Sequence, residues 1–152
     1  MDRSVHVKPE IVCGLMSQVN IERFWPQMVH ELNRVPHIWN KWWTLEALRG
    51  QALGGGIQMW GVSHGRSIQM VVCSVLVDFP AGRALQVFLA FGNSMDESLP
   101  TVVATLENFA LSMDCKRVEV VGREGWEKVL ARHGLKYEHS TLSIDLSKRS
   151  VH

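Results

Sequence analysis

The second half of the chain alternates between strand-like and helix-like hydrophobic patterns. In residues 85–91 hydrophobic side chains occupy both sides of the alternation, which is typical of a central strand, and the run ends at Gly92. After Leu99 the apolar positions recur every three or four residues, which predicts a long helix. Ser98 can cap this helix, and Pro100 fits its first turn. The apolar stripe consists of Val102, Val103, Leu106, Phe109, Ala110 and Met113.

Three shorter elements are predicted beyond that helix. Residues 118–121 have the composition of a short strand, and residues 126–133 carry an apolar helical face. Gly134 is suited to end this second helix, because a glycine adopts the left-handed conformation that closes helices. Residues 137–146 are predicted as a final strand.

The first half of the chain predicts one strand, two helices and a hairpin. Residues 4–12 are expected to hold a short strand around Pro9, and Pro26 is expected to begin a helix over residues 26–34. Thr44 can cap a second helix that ends at the glycine run 54–56. Residues 57–62 and 67–79 follow as two strands joined by a tight turn. The order of elements predicts an α+β fold with a mixed central sheet.

Several segments resemble a known family. Residues 106–110 (LENFA), 117–126 (RVEVVGREGW) and 129–135 (VLARHGL) are similar to the C-terminal half of GNAT N-acetyltransferase-like proteins, particularly a bacteriophage-encoded branch. Trp25-Pro26 is similar to the same branch, and the most specific piece is the turn from Gly122 to Trp126. The resemblance implies one GNAT-like domain over residues 1–152, with a mostly antiparallel sheet flanked by helices on both faces.

Composition narrows the function classes. The 152 residues, 46% of them hydrophobic, suffice for one domain with a sizeable core. A formal net charge of +1 with scattered basic residues argues against nucleic-acid binding. We expect no membrane span and no signal peptide, and therefore a cytoplasmic location. The three cysteines and the separated histidines show no metal-ligand spacing, so we expect no metal site.

The loop that should bind phosphates is unusual. In GNAT enzymes a glycine-rich loop with a basic residue follows the fourth strand and presents backbone amides to the pyrophosphate of acetyl-CoA. The equivalent residues 92–100 contain one glycine, no lysine or arginine, two acids (Asp96 and Glu97) and a proline. We therefore expect no cofactor, and interpret the cofactor-binding candidates as a degenerate loop: Gly92, Asn93 and Ser94. Acetyl-CoA is the cofactor if the loop nevertheless works.

Candidates for acid–base chemistry are few. Transfer of an acetyl group requires a base for the incoming amine and usually a proton donor for the departing thiolate. Glu119, on the strand after the long helix, is the best base candidate by position, with Asp78 behind it. The family commonly places a tyrosine on its last helix, whereas Tyr137 lies beyond Gly134 on the predicted final strand. The alternative is that Glu119 is an ordinary salt-bridged surface residue.

A cluster of tryptophans lies between the first two predicted helices. In GNAT enzymes this connector borders the acceptor site, so Trp39, Trp42 and Trp43 could stack on a substrate or contact a protein partner. The alternative is that they close the hydrophobic core beneath the connector.

Together these features lead to two hypotheses. The first is a bacteriophage protein with a degenerate acetyl-CoA site, acting as a non-catalytic binding or structural protein in virion or particle assembly. Such a protein would have protein partners or self-associate, in the host cytoplasm or the virion. The alternative is an active acetyl-CoA-dependent N-acetyltransferase with Glu119 as the base.

Overall fold

The computed structural model describes residues 10–34, 43–93, 95–121 and 130–136. Within these residues five strands form one sheet in chain order, with antiparallel pairing between the first four and parallel pairing between the last two. The predicted final strand, most of the predicted second C-terminal helix, Trp39, Trp42 and Ser94 lie outside the described residues. The strands are β1 (Ile11–Leu15), β2 (Gln58–His64), β3 (Ser67–Phe79), β4 (Gly82–Gly92) and β5 (Cys115–Val120).

Helices cover both faces of this sheet. Helices α1 (Gln18–Asn33) and α2 (Leu45–Gly54) pack on one face, here called the α1/α2 face, and α3 (Met95–Ser112) packs on the other, the α3 face. This confirms the predicted α+β class and the mixed, mostly antiparallel sheet. The fully buried residues on the α1/α2 face include Leu32, Leu48, Met59 and Cys73, and those on the α3 face include Val62 and Leu85.

Helix α1 begins well before the predicted position at Pro26. Ser17 caps it by accepting a hydrogen bond from the backbone N–H of Asn20 at 3.2 Å. Proline removes one hydrogen bond of the helix, to the carbonyl of Glu22, but both residues are exposed and water can satisfy that carbonyl. Burial of Ile21 and Met28 on the opposite side holds both halves of the helix against the sheet.

Helix α2 has the ends that the sequence predicts. The Thr44 hydroxyl accepts from the backbone N–H of Ala47 at 3.1 Å, which satisfies one of the free donors at the helix start. Gly55 ends the helix in the left-handed conformation, with φ of 81°. None of the helices in the described part of the chain is long and apolar enough to span a membrane.

Candidate functional site

The pairing of β4 with β5 stops partway along β4, at a point here called the β4–β5 separation. Their parallel pairing extends from Arg83 to Val87 on β4, and the last hydrogen bond joins the Val121 N–H to the Val87 carbonyl at 2.8 Å. Strand β4 continues to Gly92, paired with β3 alone among the described residues. The resemblance places acetyl-CoA beside β4 beyond Val87, where this pairing stops.

A β-bulge marks the point of separation. In the register of β3 with β4, Cys73 faces Leu89 and Ser74 faces Val87, so Phe88 has no residue opposite it. Phe88 and Leu89 therefore both pack on the α1/α2 face, although they are consecutive. A bulge bends its strand and increases the local twist.

Buried hydrogen bonds support the bulge from the neighbouring strand. The hydroxyl of Ser74 is fully buried; it accepts from the Trp60 indole N–H at 2.9 Å and donates to the Gln58 side-chain oxygen at 3.0 Å. Trp60 also makes an edge-to-face contact with Phe109 of α3, with ring centroids 5.1 Å apart. The sequence pattern did not indicate Phe88, Ser74 or Trp60 as site residues. The unbroken apolar run of residues 88–91 was the only sequence signal.

Most of the expected phosphate loop is helical. Helix α3 starts at Met95, so the prediction that Ser98 caps it is wrong. Ser98 is instead fully buried, with its hydroxyl 3.0 Å from the Nε2 atom of His64 on β2. The longer helix is favoured because Met95 and Leu99 extend the apolar stripe onto the α3 face by one more turn.

The earlier start of α3 changes the roles of the acids and the proline. Asp96 and Glu97 are exposed in the first turn, where each carboxylate stabilises the helix end by about 0.3 to 1 kcal/mol. Pro100 lies beyond the first turn, so its missing N–H removes a hydrogen bond to the Asp96 carbonyl rather than a free donor at the helix end. The sequence analysis counted that proline among the losses at the phosphate site, and this part of the interpretation is corrected.

Two of the three cofactor-binding candidates have structural roles. Gly92 has φ of 120°, and a Cβ atom there would lie 2.3 Å from the carbonyl oxygen of Gln69 on β3. The backbone N–H of Asn93 donates to that same Gln69 oxygen at 2.7 Å. The close approach of β4 to β3 therefore explains why residue 92 is a glycine. The Asn93 amide is already hydrogen-bonded to β3. The third candidate, Ser94, lies outside the described residues.

The carboxylate of Glu119 has a partner for each of its oxygens. Oε2 accepts from the Gln86 side-chain amide at 3.2 Å, and Oε1 is 3.1 Å from Nε of Arg117. Its neighbours Val118 and Val120 pack on the α3 face, so Glu119 points to the α1/α2 face, with its side chain 20% exposed. The structure thus places the base candidate two residues before the β4–β5 separation, in an ion pair. The second candidate, Asp78, pairs with Arg83 at 2.7 Å near the β3–β4 turn.

Trp43 contacts the bulge from the α1/α2 face. Its ring stacks on that of Phe88, with centroids 5.1 Å apart and planes inclined by 13°. Trp43 is half-buried and packs against the core beneath α1 and α2. The other tryptophans of the predicted cluster, Trp39 and Trp42, lie outside the described residues.

Burial makes the thiols of two cysteines weaker acids than an exposed cysteine. It raises the pKa of Cys73 to about 12 and that of Cys13 to about 11. No group of three or more histidine, cysteine or acidic residues suited to a metal ion occurs within the described part of the chain.

Because the native state holds these two thiol protons more tightly than the unfolded state, their contribution to stability is complete below a pH of about 8.5. The contribution is lost as the pH rises through 11 to 12. We therefore expect the free energy of unfolding, measured in urea, to be lower at about pH 10 than at about pH 8 by about 1 kcal/mol or more for each thiol. A variant carrying both Cys13→Ala and Cys73→Ala should show a flatter pH dependence. Equal slopes in the two proteins would contradict this account.

Comparison with known proteins identifies the fold. The sequence matches no protein-family model, and no curated protein matches it. A GNAT family acetyltransferase from Staphylococcus aureus is similar in structure, with a TM-score of 0.64 and 12% identity, over 90% of this chain and 98% of that one. A ribosomal-protein-alanine N-acetyltransferase from Brucella melitensis has a TM-score of 0.64 and 10% identity over 90% and 97% of the two chains. A predicted acetyltransferase from Clostridium acetobutylicum, solved with acetyl-CoA, has a TM-score of 0.60 and 11% identity over 92% and 99%.

Proposed function

From the GNAT acetyltransferase fold of this chain, we propose that it is a non-catalytic binding or structural protein with a degenerate acetyl-CoA site. The observation that carries the proposal is that residues 95–100 of the expected phosphate loop belong to helix α3, with Asp96 and Glu97 exposed in its first turn. A loop that wraps a diphosphate has been replaced by a helical turn with negative charge.

The backbone donors for a diphosphate are reduced in number. The Asn93 amide already donates to Gln69 of β3. The amides at the start of α3 lack helical acceptors, but the two carboxylates of the first turn lie beside them. A carboxylate repels a phosphate through the same electrostatics by which it stabilises the helix end, on the order of 0.3 to 1 kcal/mol each. No lysine or arginine in residues 92–100 offsets this repulsion.

The β4 bulge does not by itself require a ligand. It contributes Phe88 and Leu89 to the α1/α2 core, and the Trp60–Ser74 hydrogen bond beside it is buried. These residues stabilise the fold whether or not acetyl-CoA binds, so a protein that has lost the cofactor would still retain the geometry. Fold alone does not establish activity, because activity depends on the site.

The proposed role is in virion or particle assembly of a bacteriophage, in the host cytoplasm or the virion. This part of the proposal is supported by the resemblance of residues 117–126 and of Trp25-Pro26 to the phage-encoded branch. The tryptophans of the α1–α2 connector, Trp39, Trp42 and Trp43, are the proposed partner contacts. Of these, Trp43 is half-buried and stacks on Phe88 of the bulge.

An active acetyl-CoA-dependent N-acetyltransferase is the second candidate. Glu119 favours it, because it lies two residues before Val121, where the β4–β5 pairing stops, and its carboxylate could accept a proton from an amine bound there. Its ion pair with Arg117 at 3.1 Å weighs against this role, since a base must be free to take a proton.

An acetyl-transfer assay distinguishes the two candidates. Release of the coenzyme A thiol from acetyl-CoA is measured with a panel of primary amines, for the wild type, Glu119→Gln and Asp78→Asn. We expect no release above the rate without protein in any of the three. Turnover by the wild type that falls about 100-fold or more in Glu119→Gln, and not in Asp78→Asn, would instead establish the enzyme with Glu119 as its base.

A further inference from the structure

Strand β1 leaves one row of backbone groups unpaired within the described residues. The Gly65 N–H donates to the Glu10 carbonyl at 3.1 Å, and the Met16 N–H donates to the Met59 carbonyl at 2.8 Å. These two bonds flank β1 and fix which residues face β2, because N–H and C=O of one residue point to the same side of a strand. The even-numbered residues therefore bond to β2, whereas the N–H and C=O groups of Ile11, Cys13 and Leu15 point away from the sheet.

This edge lacks the features that usually prevent edge strands from pairing. Residues 11–15 contain no lysine, no proline and no charge of either sign. Apolar side chains along it are exposed: Val12 is 48% exposed, Leu15 is 56% and Val19, at the start of α1, is 75%. None of the residues that the structure describes covers them.

We infer that β1 pairs with β1 of a second copy of this chain, in an antiparallel arrangement about a two-fold axis at Cys13. In this register Ile11 of each copy lies opposite Leu15 of the other. All three residues with outward backbone groups then form hydrogen-bonded pairs, and each pair exchanges two N–H···O bonds. If the two strands were shifted by one hydrogen-bonded pair in either direction, one of Ile11, Cys13 and Leu15 would have no partner within β1 of the second copy. Strand β1 is therefore most complementary to itself in the register centred on Cys13.

The side chains are compatible with the same register. Val12 lies opposite Gly14 of the second copy, and a glycine leaves room for the exposed valine. A Cβ atom placed on Gly14 would have no atom within 4 Å in the single chain, so the space beside it is open. No charged residue of 11–15 is brought against another, and Val12 and Leu15 lose exposed apolar area on pairing.

The pairing does not depend on whether acetyl-CoA binds. It joins the two sheets into one through their β1 edges, and β1 lies three strands away from β4, beside which acetyl-CoA is expected. A contact about a two-fold axis requires a surface patch that complements itself. The outward backbone groups of β1 satisfy this condition, so the proposed partner at this edge is a second copy of the same chain.

Sedimentation velocity of the full chain tests the inference. We expect the wild type at tens of micromolar to have twice the chain mass of 17.2 kDa. A variant with Val12→Lys and Leu15→Lys should dissociate at least about 100-fold more readily, because it places four like charges at the contact. Leu111→Lys is the matched control: Leu111 is 71% exposed on α3, and this variant should remain a dimer. A monomeric wild type, or a doubly charged variant as dimeric as the control, overturns the inference.

A cross-link tests the register independently of charge. Val12→Cys combined with Gly14→Cys places two cysteine pairs opposite each other across the two-fold axis, in positions whose Cα atoms are about 4.5 Å apart. We expect mild oxidation to give a covalent dimer on a non-reducing gel. A variant with Leu111→Cys, equally open to oxidation, should give little. A dimer in solution that fails to cross-link through residues 12 and 14 overturns the β1 register.

Discussion

Replacing Gly92 by alanine is expected to destabilise the protein by about 3 kcal/mol or more. The new Cβ would lie 2.3 Å from the carbonyl oxygen of Gln69 and 2.7 Å from Cα of Met70. Both are backbone atoms of β3, so no side-chain rotation relieves the contact. The residue also has φ of 120°, which side chains other than glycine rarely adopt. The substitution would force β4 away from β3 where the two strands pair.

Chemical denaturation measures this effect, with Gly50→Ala on α2 as the matched control. A Cβ atom on Gly50 meets nothing within 4 Å, and alanine favours a helix over glycine, so the control should be as stable as the wild type or up to about 1 kcal/mol more stable. The comparison separates two reasons for a glycine at position 92. If Gly92 served only a ligand, the alanine variant would be as stable as the control, and the structural explanation would be wrong.

Replacing Trp60 by alanine is expected to cost about 3 to 5 kcal/mol. The side chain is 4% exposed, packs edge-to-face on Phe109 of α3 and donates its indole N–H to Ser74. The substitution removes a large apolar group and leaves the buried serine hydroxyl without its donor. Both losses occur beside the β4 bulge, because Ser74 lies at the register shift between β3 and β4.

A phenylalanine variant divides this cost into packing and hydrogen bonding. Trp60→Phe keeps an aromatic ring but removes the N–H, and it should cost about 1 to 3 kcal/mol in urea denaturation. We expect the free energy of unfolding to decrease in the order wild type, Trp60→Phe, Trp60→Ala. A Trp60→Ala protein within about 1 kcal/mol of the wild type would show that the indole does not support the bulge.

Elements with local signals at both ends were predictable from sequence. Helix α2 has Thr44 at its start and Gly55 at its end, and both act through residues within one turn of the chain. The hairpin of β2 and β3 likewise depends on a short turn, at residues 65–66. Local rules apply to such elements because the interactions that fix their bounds are local.

The starts of α1 and α3 depended on packing instead. A proline in each segment suggested a first turn, and both helices in fact begin several residues earlier. Burial of Ile21 in α1 and of Leu99 in α3 against the sheet offsets the hydrogen bond that each proline removes. That burial depends on residues distant in sequence, so it could not be predicted from the local sequence around each proline.

The candidate site was only partly predictable for the same reason. The acids Asp96 and Glu97 and the lack of basic residues could be read from the sequence. The role of Gly92 could not, because it depends on the approach of Gln69 from another strand. Nor could the stacking of Trp43 on Phe88 be inferred without the register of the sheet. The ion pair of Glu119 with Arg117 fits the alternative stated from the sequence, because residues two apart on a strand lie on the same face.

Calorimetric titration of the wild-type chain with acetyl-CoA tests the degenerate-site proposal most directly. With protein at tens of micromolar and ligand raised to about 1 mM, we expect no saturable heat, which places Kd above about 1 mM. Because Gly92 is needed by the fold, the companion variant is Asp96→Asn with Glu97→Gln, which removes the carboxylates and leaves the backbone unchanged. A micromolar Kd for the wild type would contradict the proposal and show that the first turn of α3 accepts a diphosphate despite its two acids.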